Sequence, residues 1–466
     1  MTHPAPASAP RSLPELVPEL VPVVIVGAGP VGLAAAAHLL RQGLEVAVLE
    51  AGEDVGANVR SWSHVPMFSA WRNNLDAAAV ELLRCEDPKW TLPDGDEVPT
   101  GGELVARYLE PLAATPSMRR VLNLGARVVA IGRAGVDKMR DAGRDEAPFV
   151  LRVETATGAR RVEARVVLDA TGAWATPAPA GADGLPARGE TRQAAAGRLS
   201  YGIPDILGAD RGRYAGRRSA VIGAGHSAIH AVLDLATLRA EVGAGDVVWI
   251  LRKRSVEEVY AGRETDALRD RGLLATRIRT LLEAGEVTVQ TPFFVEAFDD
   301  GPADAVRIAG RAPDGEEAAA VEVDQVVVTT GVRPDLSFLR ELRLDLDPGV
   351  EAPRGLAPLI DPNIHSCGSV PEHGEDALRL AEPGLYLVGM KSYGRAPTFL
   401  LRTGYAQVRS VVDHLARRLA SGAAHDAPLA LPYEPSALDA NPCSARGVVG
   451  GSAVGRAVLD RVASCC

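Results

Sequence analysis

The sequence predicts an α/β protein of two parallel-sheet units, the second inserted into the first, and three observations carry that prediction. Two glycine-rich strand–turn–helix segments of one design recur along the 466 residues: VVIVGAGPVGLAAAAHLL with Gly27, Gly29 and Gly32, and SAVIGAGHSAIHAVLDLA with Gly223, Gly225 and Ala228. Each is followed by a second apolar strand, LEVAVLE ending on Glu50 and DVVWILRKRS ending on Arg252, Lys253 and Arg254. Each half then runs into a hairpin that closes on a Thr-Gly step, DATG at Gly172 and TTG at Gly331.

In each turn the first glycine permits a tight bend and the second lets the backbone approach a pyrophosphate. The third position, Gly or Ala, lets helix and strand pack closely, with phosphate at the helix N-terminus. Pro30 in the first turn, and His226 and Ser227 in the second, fall at the start of their helices and join the predicted cofactor-binding set. The acid and the bases then separate the two ligands. Glu50 can accept hydrogen bonds from ribose hydroxyls, as FAD or NAD presents, whereas a 2′-phosphate is repelled by a carboxylate and bound by Arg252 and Lys253, which points to NADPH.

Along the chain, FVLRVETATGARRVEARVVLDATG reads as a hairpin turning at Thr-Gly, and VRIAGRAPDGEEAAAVEVDQVVVTTGVRPD as one turning at Asp-Gly. The first half is the longer, and its excess lies between about 55 and 125. That stretch holds SWSHVPMFSAWRNNLD and two helical segments near 75–84 and 101–114. After the second half the chain returns with an apolar strand at Leu385–Val388, a turn at Gly389, and a long helix expected from near Pro397. The boundaries that follow are a disordered tail over 1–20, a first FAD-binding part over 21–185, an NADPH-binding unit over 186–335, an FAD-binding return over 336–425, and a flexible cysteine-bearing tail over 426–466.

Composition bounds the functions. With 47% hydrophobic and 24% charged residues the chain has the make-up of a soluble globular protein, and a net charge of −10 argues against nucleic acid as a partner. No apolar run is long enough to span a bilayer and the Pro- and Ala-rich start does not read as a signal peptide, so a cytoplasmic location is expected. Five cysteines (Cys85, Cys367, Cys443, Cys465 and Cys466) do not make a disulfide framework there. His365, Cys367 and His373 lack a clear fourth ligand, so no metal is expected.

From about residue 21 to 420, the two turns, the DATG and TTGVRPD linkers and the GLYLVGM segment together resemble the flavoproteins with two dinucleotide-binding domains. The resemblance implies an FAD-binding Rossmann-like domain with an inserted second Rossmann-like NAD(P)H-binding domain, and the cofactors FAD and NADPH. Disulfide reductases of this type carry Cys-x4-Cys after the ribose acid, or Cys-x-x-Cys inside the nucleotide domain. Neither pair is present, and Cys85 is the only cysteine in the first 366 residues. The stretch PMFSAWRNNLD is similar to the YxSLxTNL segment of flavin-dependent monooxygenases, which implies Asn74, or Asn73 in a shifted register, as the amide beside the flavin, with Trp71 on the cofactor side. An Asn-Asn pair capping a helix from Leu75 is the alternative.

The monooxygenase motif FxGxxxHxxx(F/W/Y) before the second turn is missing, whereas the Met390-Lys391 that follows Gly389, in place of an Asp, is common among flavin-containing monooxygenases. The resemblance places Lys391, Tyr393 and Arg395 at the flavin ring, where Lys391 and Arg395 would stabilise its anionic reduced form, and sets Thr398 at a helix start that donates to it. A solvated charged loop is the alternative for that turn. Trp62, His64, Phe68 and Trp71 would wall a pocket or fill the core. The function implied is oxygenation of a small nucleophilic substrate through a flavin hydroperoxide, with O2 and that substrate as partners, no membrane or nucleic acid, and a homodimer as one arrangement. The alternatives are an NADPH-dependent reductase of a disulfide, quinone or soft metal that uses Cys465-Cys466 with Cys443, and a redox-sensing flavoprotein without turnover.

Overall fold

The computed structural model describes residues 21–260, 269–365, 370–371 and 373–421. The tails expected over 1–20 and 426–466, with Cys443, Cys465 and Cys466, lie outside the described residues, as does Cys367.

The first glycine-rich segment folds as predicted. The all-apolar strand Val21–Val26 is fully buried and leads through the turn into the helix Pro30–Arg41, the first phosphate helix. Ala34 to Ala37 on that helix are no more than 2% exposed, because small side chains let it pack closely on several sides at once. This strand is central in a seven-stranded sheet. On one side lies Val46–Leu49, then Leu122–Asn123; on the other lies the long strand Gly158–Asp169, whose early half forms a hairpin with Phe149–Thr155, paired in turn with Arg127–Arg133. The late half of Gly158–Asp169 takes the returning strand Leu385–Leu387 in parallel, with Leu387 opposite Asp169.

The second unit repeats the plan. Five parallel strands stand in the order Thr288–Gln290, Val247–Ile250, Ser219–Ile222, Gln325–Val328 and Leu199–Tyr201, and the second phosphate helix, His226–Val242, follows the second turn. A three-stranded antiparallel sheet, Phe294–Asp300, Val306–Arg311 and Val321–Val323, is attached to it and contains the Asp314-Gly315 hairpin. In both units the strand ending in Thr-Gly lies beside the glycine-turn strand, so the two turns and two Thr-Gly steps sit at strand C-terminal ends, where the order of a parallel sheet reverses and ligands bind.

Two boundaries differ from the sequence reading. The helix expected from Leu75 is Ala77–Glu86, capped by Asp76, whose Oδ1 accepts from Ala78 N at 2.9 Å and Ala79 N at 3.1 Å; a carboxylate satisfies two orphan amides of the first turn. The C-terminal helix is Leu401–Ser421, starting beyond Pro397, since the first carbonyl to accept helical hydrogen bonds is that of Leu400. No helix among the described residues is long and apolar enough to cross a membrane.

Candidate functional site

The first turn has the shape of a phosphate cradle. Gly27 adopts φ +102°, and a Cβ there would lie 2.9 Å from Ala170 O, because the DATG strand end is drawn against the turn. A Cβ on Gly32 would overlap Gly27 O at 2.0 Å. A Cβ on Gly29, in contrast, would meet nothing within 4 Å. The first and third glycines are therefore demanded by the protein's own packing, while the second leaves an open face, the room a pyrophosphate requires. Glu50 is 9% exposed and holds the turn from the next strand: Oε2 accepts from Ala28 N at 2.6 Å and Oε1 from Gly52 N at 2.8 Å. Gly172 follows the DATG step with φ +70°.

The second turn repeats the geometry. Gly223, at φ +139°, would drive a Cβ to 2.5 Å from Thr329 O of the TTG strand, whereas Gly225 again faces open space. Ala228 in the third position is completely buried, and Gly331 has φ +104° with nothing near its missing Cβ. His226 is the first residue of the second phosphate helix, with Ser227 next to it in the first turn. Arg252 is exposed at the end of the following strand, and its Nη1 donates to Ala182 O at 2.7 Å. Lys253 lies beside it, its Nζ 3.8 Å from Glu258.

The returning segment closes the first site. Gly389, at φ +66°, packs its missing Cβ position 3.1 Å from the Val31 side chain, and its N–H donates to Gln407 Oε1 at 2.8 Å. Gln407 Nε2 lies 2.9 Å from both Ser392 Oγ and His373 Nε2, while His373 Nδ1 approaches Pro371 O at 3.1 Å. Burial holds His373 below the usual histidine range and pushes Tyr393 up to about 12. Thr398 Oγ1 is enclosed with no hydrogen-bond partner among the described residues. Open Gly29 and the Glu50 carboxylate fit FAD; open Gly225, with Arg252 and Lys253 ending the next strand, fits a pyridine dinucleotide.

Several predicted residues take other roles. Lys391 is completely buried: its Nζ pairs with Asp169 Oδ2 at 3.2 Å, donates to Thr171 Oγ1 at 2.9 Å and to Asp335 O at 2.6 Å, and lies 4.8 Å from the Phe338 ring centre. With its donors spent, the ammonium bolts the DATG step to the return segment and is not a cation offered to a ring. Lys391→Met is accordingly expected to cost about 3–5 kcal/mol in urea unfolding, as removal of one partner of a buried pair does. A flavin-stabilising cation would instead shift the flavin potential with stability unchanged.

Asn74 is fully buried, and its amide is used within its own turn: Oδ1 accepts from Ser69 Oγ at 2.8 Å, and Nδ2 donates to Ser69 O at 2.7 Å and Ala70 O at 3.2 Å. Asn73 is half-buried, with no side-chain hydrogen bond among the described residues. Trp71 has no exposed surface and belongs to the main core, with Arg107 over its ring at 5.2 Å. Arg395 is exposed, 3.9 Å from Glu351. Cys85 is disulfide-bonded, whereas the sequence reading expected no disulfide framework. His365 Nε2 lies 2.8 Å from Pro358 O, and no group of three or more His, Cys, Asp or Glu among the described residues is arranged to hold a metal.

Sequence reasoning missed the groups that join these pieces. Tyr405 on the C-terminal helix donates to Asn74 O at 2.8 Å, Tyr108 OH accepts from Asp76 N at 3.1 Å, and His38 Nε2 lies 3.0 Å from Asp76 Oδ2. Burial raises both tyrosines well above the ordinary phenol value. The one signal that could have found such a group is a polar residue such as Gln407 within an otherwise apolar helical face.

Solved structures share this architecture. A bacillithiol disulfide reductase from Bacillus cereus superposes with a TM-score of 0.62 at 18% identity, over 86% of this chain and 99% of that one. The FAD-bound cadaverine monooxygenase of desferrioxamine biosynthesis from Erwinia amylovora gives 0.59 at 14% identity, over 90% and 98%. A flavin monooxygenase from Stenotrophomonas maltophilia, as a double mutant, gives 0.52 at 22% identity, over 87% and 100%. Among curated proteins, lysine-specific histone demethylase 1 homolog 3 of Arabidopsis thaliana is 41% identical over 75 residues, 16% of this chain, and the match spans only 4% of that protein's length. The profile of the family described as pyridine nucleotide-disulphide oxidoreductase matches residues 21–382. With both dinucleotide cradles in place across that span, the chain belongs to this family of oxidoreductases, which bind FAD and use NAD(P)H as the pyridine-nucleotide partner.

Proposed function

We propose that this oxidoreductase takes electrons from NADPH and passes them to an external acceptor, as a flavin monooxygenase that oxygenates a small nucleophilic substrate with O2. The observation that carries the reading is the absence from the sequence of a cysteine pair at either position where disulfide reductases of this architecture keep one. Bound FAD supplies hydride acceptance from the nicotinamide and, once reduced, reactivity toward oxygen.

The chain's own residues position and enclose. Glu50 holds the ribose hydroxyls of FAD, the open faces at Gly29 and Gly225 receive the pyrophosphates, and Arg252 with Lys253 bind the 2′-phosphate that distinguishes NADPH. Tyr405 ties the Trp71–Asn74 turn to the C-terminal helix, and this supports the half-buried Asn73 rather than Asn74 as the amide free to donate and accept beside the ring. Thr398 supplies a further hydroxyl, and the Gln407 network under Gly389 keeps the return segment rigid. A cytoplasmic setting is part of the proposal, because NADPH is supplied there.

The test is NADPH oxidation under 18O2 with a panel of sulfur, nitrogen and arsenic compounds, followed by mass spectrometry of the products. Incorporation of 18O into one of them is expected. Recovery of all consumed oxygen as hydrogen peroxide, with NADPH oxidation stimulated by an added disulfide or quinone, would replace oxygenation with the reductase reading that vicinal Cys465-Cys466 favour.

A further inference from the structure

On the second phosphate helix, His226, His230 and Asp234 recur every four residues and so form one stripe. The stripe meets the loop from the first unit that was read as a pocket wall. Phe68 packs on the His226 ring with centroids 5.4 Å apart, and His64 comes near enough to His230 to act on its charge. The Nε2 atoms of His64 and His230 are both enclosed and neither has a hydrogen-bond partner among the described residues. Buried polar nitrogens are normally satisfied, so two left open, one from each unit, mark a place for a polar guest.

We propose that His64 and His230 line the acceptor site at the seam between the two units and form its proton-transfer pair, supplied from solvent through Asp234. The inference rests on the reading that electrons from NADPH leave the flavin for an external acceptor, and it holds for any acceptor that takes up hydrogen or oxygen, a disulfide or quinone as well as an oxygenated substrate. An acceptor reduced by two electrons consumes one proton besides the hydride (A + NADPH + H⁺ → AH2 + NADP⁺). An oxygenation also consumes one (S + O2 + NADPH + H⁺ → SO + H2O + NADP⁺). In both cases a proton must reach the acceptor, and imidazoles are suited to carry it.

The surroundings fit a relay. Burial, aided by the positive charge of Arg277 and by His64, pushes His230 down to about 4, so its ring is neutral at pH 7 and can pass a proton on without retaining it. Burial raises Asp234 to about 6, against the opposing pull of Arg277 and with help from Asp205, so this carboxyl exchanges protons close to neutral pH. The charged or titratable groups facing the pair are therefore His64 and Arg277 around His230, and Arg277 and Asp205 around Asp234, with His226 one turn away on the same helix.

The experiment compares two acceptors in the FAD-loaded full chain. Dioxygen needs protons, whereas ferricyanide takes single electrons and none. His230→Asn and His64→Asn are each expected to lower NADPH turnover with dioxygen roughly 10- to 100-fold at pH 7 and to flatten its pH profile, while ferricyanide reduction stays within about twofold, which also certifies the fold. Equal loss with both acceptors, or an unchanged pH profile with dioxygen, would overturn the relay. A second readout needs no turnover: in proton NMR of the histidine rings, His64→Asn should move the titration of His230 upward, because a like charge has been removed. If that titration does not move, the pairing across the seam is refuted. Anaerobic bleaching of the flavin by NADPH separates the two levels, since failure to bleach defeats the underlying reading, and normal bleaching with indifferent variants defeats the relay alone.

Discussion

Gly29→Val is expected to yield a folded protein without flavin, and Gly225→Val a flavoprotein that no longer binds NADPH. The reason lies in the asymmetry of each turn. Gly27, Gly32 and Gly223 sit where a Cβ would collide with backbone at 2.0–2.9 Å, so substitution there damages the fold itself. Gly29 and Gly225 have φ −77° and −87°, ordinary for any residue, with no atom within 4 Å of the added Cβ. A valine therefore costs the apoprotein little, within about 0.5 kcal/mol as for most surface changes, yet occupies the space a pyrophosphate needs. Losing two or three charge-assisted hydrogen bonds at about 1.5–3 kcal/mol each corresponds to at least 100-fold in affinity. The ratio of absorbance at 450 nm to 280 nm reads the first effect, calorimetric titration with NADP⁺ the second, and thermal melts the fold. A Gly29→Val protein that purifies yellow would contradict the assignment of the first cradle.

Arg252→Ala combined with Lys253→Ala should raise the KM for NADPH about 10- to 100-fold while leaving that for NADH within about threefold. The two dinucleotides differ only by the 2′-phosphate, and one or two contacts to it are worth about 1.5–3 kcal/mol each. Arg252 is exposed and now donates to a linker carbonyl at Ala182, so its guanidinium can turn to a phosphate at small cost. The preference for NADPH should also weaken as salt rises, because the contact is screened. Steady-state kinetics with both nucleotides measures it, and an equal loss for NADPH and NADH would remove the 2′-phosphate from the site.

These expectations draw on what was legible in local pattern. The turn glycines, Glu50, both hairpins and the return strand were readable because each rests on a few adjacent residues whose backbone needs are fixed by sterics. Lys391 and Asn74 were read by analogy of position, and the structure shows why position misleads. The Lys391 side chain meets Asp169, Thr171 and Asp335, all far from it in sequence, and Asn74 spends its amide on its own turn.

The sequence by itself determined two nucleotide-binding units, the order in which they are threaded, and the opposite charges that end their second strands, since propensity, period and turn sterics act over a few residues. Only the tertiary structure decided which polar groups remain available to a ligand. A side chain's chemistry depends on what burial and distant partners leave unsatisfied, and the enclosed nitrogens of His64 and His230, the spent ammonium of Lys391 and the Gln407 network arise from contacts between elements that no local pattern specifies.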